Sequence, residues 1–201
     1  MKVVLASKNK HKVVEISRIM EKLDIQLVLQ SDLGVDIDVE ETGTTFEENS
    51  FQKAEAVMKA TGLPALADDS GIAVDALNGE PGIYSARYMG EDTSYRIKNA
   101  NLVERLNGVP DEKRTARFVC AISAALPGGT ILRSRGTIEG RIGYEERGEN
   151  GFGYDPIFYL PEYGCSTAEL DPATKNRLSH RGKALEAIKE QLRPFLEEGN
   201  R

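Results

Sequence analysis

Four short segments carry side chains that could act together. Ser7-Lys8-Asn9-Lys10-His11-Lys12 sets a hydroxyl, three lysines and free backbone N–H groups between a strand pattern and a helix pattern. A helix N-terminus favours anions through its dipole and unpaired N–H groups, so this run suits a phosphate chain; the alternative is a solvated lysine turn. It is no Walker A loop, and Gly182-Lys183 lacks the upstream glycine and the following hydroxyl. Glu40-Glu41 and Asp68-Asp69 form an acidic set. Magnesium takes one or two carboxylates together with substrate phosphates and waters. A carboxylate at a strand end could also orient or deprotonate a water. Neighbouring strand residues point to opposite faces, so Asp68 and Asp69 share one only if the strand has ended; the alternative to a functional role is that Asp68 to Gly71 is merely a turn.

Gly151-Phe152-Gly153-Tyr154-Asp155-Pro156 sets small residues around an aromatic, a loop able to approach a ligand and offer a ring for stacking. The six-residue dinucleotide pattern is absent, and a hairpin loop with a buried Phe reads equally from these residues. Lys175 and Ser179-His180-Arg181 supply donors at a second helix N-terminus, or else a capping serine beside a surface His-Arg pair. Both histidines of the chain fall inside these segments. Taken together, the acidic and basic groups describe a magnesium–nucleotide site.

The elements that must position them alternate between strand and helix patterns. Lys2–Ser7 reads as a strand leading into a helix whose stripe is Val13, Val14, Ile16, Ile19, Met20 and Leu23. Ile25–Leu29 is a second strand and 32–43 an acidic loop. A helix should open at Thr44 or Thr45, each with Glu three places on, and close at Gly62. Pro64–Asp69 and Gly71–Leu77 read as two strands joined at Ser70. A helix follows over Thr93–Leu106, then a long strand Arg117–Leu126, a Gly128-Gly129 hairpin, and a strand Ile131–Ile138. The glycine loop 145–154 feeds a strand Ile157–Leu160. Asp171-Pro172 opens a helix, and a last one spans Ser179–Leu196. Crossovers mixed with hairpins imply an α/β fold with a mixed sheet.

Composition narrows the classes. The 201 residues carry 26 Lys+Arg against 32 Asp+Glu, a net charge of −6, which disfavours gripping a nucleic-acid backbone through bulk charge. A chain of this length fits one domain, 1–201, with two lobes at most. Cys120 and Cys165 match neither a disulfide framework nor a zinc spacing and suit a reducing compartment. The apolar run 118–126 is too short to cross a bilayer, and the N-terminus has no signal-peptide pattern, so the expectation is a soluble, cytoplasmic protein.

Six segments in order resemble the inosine triphosphate pyrophosphatase family over essentially the whole chain. They are Ser7-x-Asn9-x-x-Lys12, Glu40-Glu41-x-Gly43, Ala67-Asp68-Asp69-Ser70-Gly71, Pro81 to Arg87, Gly151 to Pro156, and Ser179-His180-Arg181. The resemblance implies hydrolysis of nonstandard purine nucleoside triphosphates (ITP, dITP, XTP) to the monophosphate and pyrophosphate, with magnesium. It also implies an elongated mixed sheet with flanking helices, two lobes around a central cleft, and a homodimer.

Carried over by residue, Ser7, Lys8, Asn9, Lys10, His11 and Lys12 would hold the phosphates, with Lys53 facing them. Glu40 and Asp69 would hold magnesium, with Glu41 and Asp68 as second choices, and Asp69 would activate the water. Ser70 would contact substrate, and Phe152 would stack on the base in a pocket shaped by Gly153, Tyr154 and Asp155. Lys175, His180 and Arg181 would donate to the base's oxygen edge. The net acidity would then be offset locally, with Lys8, Lys10, Lys12, Lys53, Lys175 and Arg181 converging on one cleft. Hypoxanthine accepts at O6 where adenine donates, and donors unpaired by the wrong base can discriminate by as much as about 10⁴. A related pyrophosphatase of different base preference and a non-catalytic nucleotide-binding module are the alternatives.

Overall fold

The computed structural model describes residues 1–21 and 25–198. Among them are seven strands, β1 (Lys2–Leu5), β2 (Gln26–Leu29), β3 (Ala65–Val74), β4 (Thr115–Ala125), β5 (Ile131–Ile142), β6 (Phe158–Leu160) and β7 (Cys165–Ser166). Five α-helices accompany them: α1 (Lys10–Met20), α2 (Phe46–Thr61), α3 (Tyr95–Arg105), α4 (Pro172–Leu178) and α5 (His180–Glu198). The strands form one sheet in the order β2-β1-β3-β4-β5-β6-β7. β1 is parallel to β2 and β3, whereas β6 is antiparallel to β5 and β7, so the expected mixed α/β sheet is present.

Local chemistry accounts for the element ends. Asn9 caps α1, its side-chain oxygen accepting from the N–H groups of His11 and Lys12 at 3.0 and 3.2 Å. Ile16, Ile19 and Met20 then face the core, Val14 is exposed, and Leu23 lies outside the described residues. Thr45, not Thr44, caps α2, and Gly62 closes it at φ 67°, in the left-handed region. Asp171 caps α4 as its Asp-Pro pair predicts. The Gly128-Gly129 hairpin is also found, closed by Leu126 N–H donating to the Thr130 carbonyl at 2.9 Å.

One expected boundary is wrong. Residues 65–74 form a single strand, with no break at Ser70. Gly71 does not mark a turn; it admits the carbonyl of Gly82, which would lie 2.3 Å from any Cβ placed there. β5 is likewise longer than expected, reaching Ile142, and the segment before β6 is a 3-10 turn, Asp155–Ile157.

The chain divides into two compact units, Met1–Asp69 with Cys120–Gly136 and the segment from His180, and Ser70–Val119 with Thr137–Ser179. β3, β4 and β5 contribute residues to both. In the first unit Val3, Leu5, Ile16, Met20, Leu66, Ile122, Leu185 and Ile188 form the main core. Cys120 belongs to it, and burial pushes its thiol up to about 12. The second unit packs Ile72, Val74, Leu102, Leu106, Phe118, Ile142 and Phe158. No helix among the described residues is long and apolar enough to cross a membrane.

Gly136 of β5 lets α5 lie directly against the strand, because a Cβ there would stand 2.1 Å from the His180 carbonyl oxygen and 2.7 Å from the Ala184 nitrogen. Both neighbours are backbone and cannot yield by a rotamer change. Gly136→Ala should therefore cost about 2 kcal/mol of stability, read as a lowered urea midpoint.

Candidate active site

The uninterrupted β3 separates its two carboxylates. Asp68 takes Lys12 Nζ at 3.0 Å and Arg181 Nη2 at 3.3 Å, both on Oδ2, and Arg181 Nη1 reaches Glu15 Oε2 at 2.5 Å. Asp69 instead accepts from Lys53 Nζ at 3.3 Å and from Asn49 Nδ2 at 3.3 Å. Lys53 Nζ also donates to Glu41 Oε1 at 2.6 Å. Thus one ammonium bridges two carboxylates from sequence-distant segments. Glu41, not the expected Glu40, is the residue beside Asp69; Glu40 is exposed.

The electrostatics differ across the strand. Burial works against the Asp68 carboxylate, but Lys12, Arg181 and Lys53 outweigh it and hold its pKa well below the usual range. For Asp69 burial wins: the Lys53 charge is offset by Glu41 and Asp68, and its pKa is raised. Burial opposes the Lys53 ammonium, yet Asp69, Asp68 and Glu41 together push its pKa up. No group of three His, Cys, Asp or Glu suited to a metal occurs among the described residues. Two carboxylates on one cation nevertheless fit magnesium, which completes its shell with phosphate and water oxygens.

The remaining residues expected to hold phosphate divide. Ser7 Oγ accepts from Asn9 N–H at 3.3 Å, and Asn9 in turn caps α1. The cap occupies the N–H groups of His11 and Lys12, so these are not free as the sequence suggested. Lys8 lies against Asp36 at 2.9 Å and Asp38 at 3.8 Å, while Lys10 and His11 are exposed. Within the first unit Lys12, Lys53 and Arg181 gather on Asp68 and Asp69. His180 is buried at the start of α5, and Ser70 follows Asp69 on β3, half-buried.

The second unit builds the glycine loop around Asp155. Its Oδ2 accepts from Phe152 N–H at 2.8 Å and pairs with Lys175 Nζ at 2.8 Å; its Oδ1 accepts from Thr167 Oγ1 at 2.9 Å. Gly151, at φ 75°, is required here, since a Cβ would stand 2.2 Å from Asp155 Oδ2. Lys175 Nζ also sits 5.2 Å from the Phe152 ring centroid. Tyr154 is buried, its hydroxyl donating to the Ser85 carbonyl at 2.7 Å. Tyr154 and Asp155 thus brace the loop from within, while Phe152 is half-buried.

A Ham1 family model matches residues 3–191. This chain belongs to the Ham1 family. Among its relatives, the dITP/XTP pyrophosphatase of Desulforamulus reducens is 50% identical over 192 residues, 96% of either chain. That of Exiguobacterium sibiricum is 46% identical over 98% of this chain and 100% of its own. A solved Ham1 protein from Coxiella burnetii superposes with a TM-score of 0.88 at 43% identity, covering 96% of this chain and 99% of that one. The Staphylococcus aureus Ham1 protein gives 0.87 at 42%, covering 97% and 100%.

Sequence reasoning missed two residues of this Ham1 site, and both had a readable signal. Asn49 precedes Lys53 by four on α2, and Glu15 follows Lys12 by three on α1, spacings that put each pair on one helix face. Asp68 anchors the buried Arg181 and the half-buried Lys12, so Asp68→Asn should cost about 3 kcal/mol at neutral pH, measured by urea unfolding. A carboxylate whose pKa falls on folding contributes stability above its unfolded value and loses it as pH drops. The parent protein should therefore lose stability more steeply than Asp68→Asn below about pH 4.

Proposed function

We propose that this chain hydrolyses nonstandard purine nucleoside triphosphates (dITP, XTP, ITP) to the monophosphate and pyrophosphate, clearing them from the cytoplasmic nucleotide pool. The observation that carries the reading is the bridging of Glu41 and Asp69 by Lys53, next to the Lys12–Asp68 pair. Relatives named dITP/XTP pyrophosphatase, alike over nearly the full chain, support it. A homodimer belongs to the same reading.

Glu41 and Asp69 would hold magnesium, which when bound neutralises triphosphate charge and acidifies a coordinated water. Lys53 and Lys12 neutralise the non-bridging oxygens, and the Asn9 Nδ2 amide donates to a phosphate oxygen while Oδ1 keeps the helix capped. Asp69 accepts the proton of the water attacking the α-phosphorus. Its bonds to Asn49 and Lys53 aim it, so the role rests on placement. Attack breaks the bond between the α-phosphorus and the bridging oxygen, and pyrophosphate leaves. Phosphoryl chemistry of this kind depends mainly on positioning and charge stabilisation.

The remaining residues of this reading address the base. Phe152 offers its ring for stacking, with Gly153, Tyr154 and Asp155 shaping the loop. Lys175 and His180 supply donors toward the oxygen-bearing edge that adenine lacks. Arg181 is the weaker donor in this set because its two Nη atoms serve Asp68 and Glu15.

A panel of nucleoside triphosphates with magnesium, assayed for pyrophosphate release, tests the reading directly: dITP and XTP should lead, and equal turnover of all would sink it. Asp69→Asn should lower kcat about a thousandfold while dITP binding, followed by calorimetry, survives. His180→Ala should narrow the preference for dITP over dATP, and an unchanged ratio would argue against base readout there.

A further inference from the structure

Helix α3 supports the glycine loop from behind. The Tyr95 ring meets Tyr154 edge to face, with centroids 5.2 Å apart. One turn on, Asn99 is buried, and its Nδ2 donates to the Gly153 carbonyl at 3.2 Å and to Glu146 Oε1 at 2.7 Å. Both partners only accept, which determines which way the amide faces. Its Oδ1 is buried and, among the described residues, has no hydrogen-bond partner. An amide buried half-satisfied is less stable than an apolar side chain of the same size, so packing alone does not account for Asn at this position.

Gly153 adopts φ 69°, a conformation other residues rarely take. Its carbonyl is held by Asn99, and the preceding residue's N–H is held by Asp155. The peptide units on either side of the Phe152–Gly153 step are thereby each held by a side chain. We propose that Asn99 is a positioning residue for base recognition: through the Gly153 carbonyl it presets the orientation of the Phe152 ring. This rests on the reading of Phe152 as the base-stacking residue. A ring ordered before binding spares the complex the cost of ordering it, whereas the phosphate and proton-transfer groups lie outside this contact. Loss of Asn99 therefore weakens substrate binding and spares the chemical step.

The test is a double-mutant cycle with dITP using Asn99→Leu, Phe152→Ala and the pair. Asn99→Leu should raise KM about fivefold, the worth of one hydrogen bond, with kcat nearly unchanged. Phe152→Ala should raise KM further, and the double variant should be no worse than Phe152→Ala alone. Additive losses, or a fall in kcat at constant KM, overturn the proposal. If Phe152→Ala raises KM but Asn99→Leu does not, the proposal alone falls. If Phe152→Ala leaves KM unchanged, the stacking reading falls and takes the proposal with it. Asn99→Ser, smaller and still polar, is carried alongside against misfolding of the leucine variant. Its Gly153 and Tyr154 amides should exchange with solvent several-fold faster at an unchanged melting temperature, and unaltered exchange overturns the proposal.

Discussion

Two adjacent carboxylates on an unbroken strand govern the first unit. Because β3 continues through Asp68 and Asp69, their side chains leave on opposite faces, and each meets a different set of cations. Asp68 is neutralised by Lys12 and Arg181 and belongs to a buried ion network that ties α1, β3 and α5 together. Asp69 is left with Lys53, which it shares with Glu41. The same residue type, one position apart, is thus held as a permanent anion on one side. On the other it becomes a carboxylate with raised pKa, and the difference comes from the number of cations each face supplies.

That division explains how an acidic chain can address a triphosphate. The net charge of −6 does not describe the interior, where Lys12, Lys53 and Arg181 are each matched to carboxylates. Lys53 stays charged despite burial because three acids surround it. An anionic ligand bringing its own cation would exchange partners within this set instead of leaving a charge bare, which keeps the desolvation cost of the free protein low. Not every basic residue takes part: Lys8 is drawn onto Asp36 and Asp38.

In the second unit a single carboxylate does comparable work. Asp155 gathers the Phe152 N–H, the Lys175 ammonium and the Thr167 hydroxyl, and the left-handed turns at Gly151 and Gly153 bring the loop close enough for these bonds to form. Asn99 and Tyr95 of α3 meet the same loop from the other side. These bonds suit the stacking role proposed for Phe152, since a mobile ring would have to be ordered on each binding event.

Much of this was legible in the residues themselves. Capping signals located α2 and α4, the Gly-Gly pair located the β4–β5 hairpin, and the order of six motifs identified the family. The Asp68-Asp69 pair, Lys12 and Lys175 stood out by type and position, whereas Lys53 came only from the family resemblance. The tertiary structure decided the rest. Whether Ser70-Gly71 breaks a strand depends on what lies against Gly71, and Gly82 comes from elsewhere in the chain. Whether Glu40 or Glu41 reaches Lys53 depends on how the acidic loop crosses α2, which spacing leaves open. Asn99 carries no motif at all; its role exists only because folding sets a helix amide beneath a loop carbonyl 54 residues away. Residue types announce what chemistry is possible, whereas partners brought together across long sequence separations settle which of two equivalent side chains performs it.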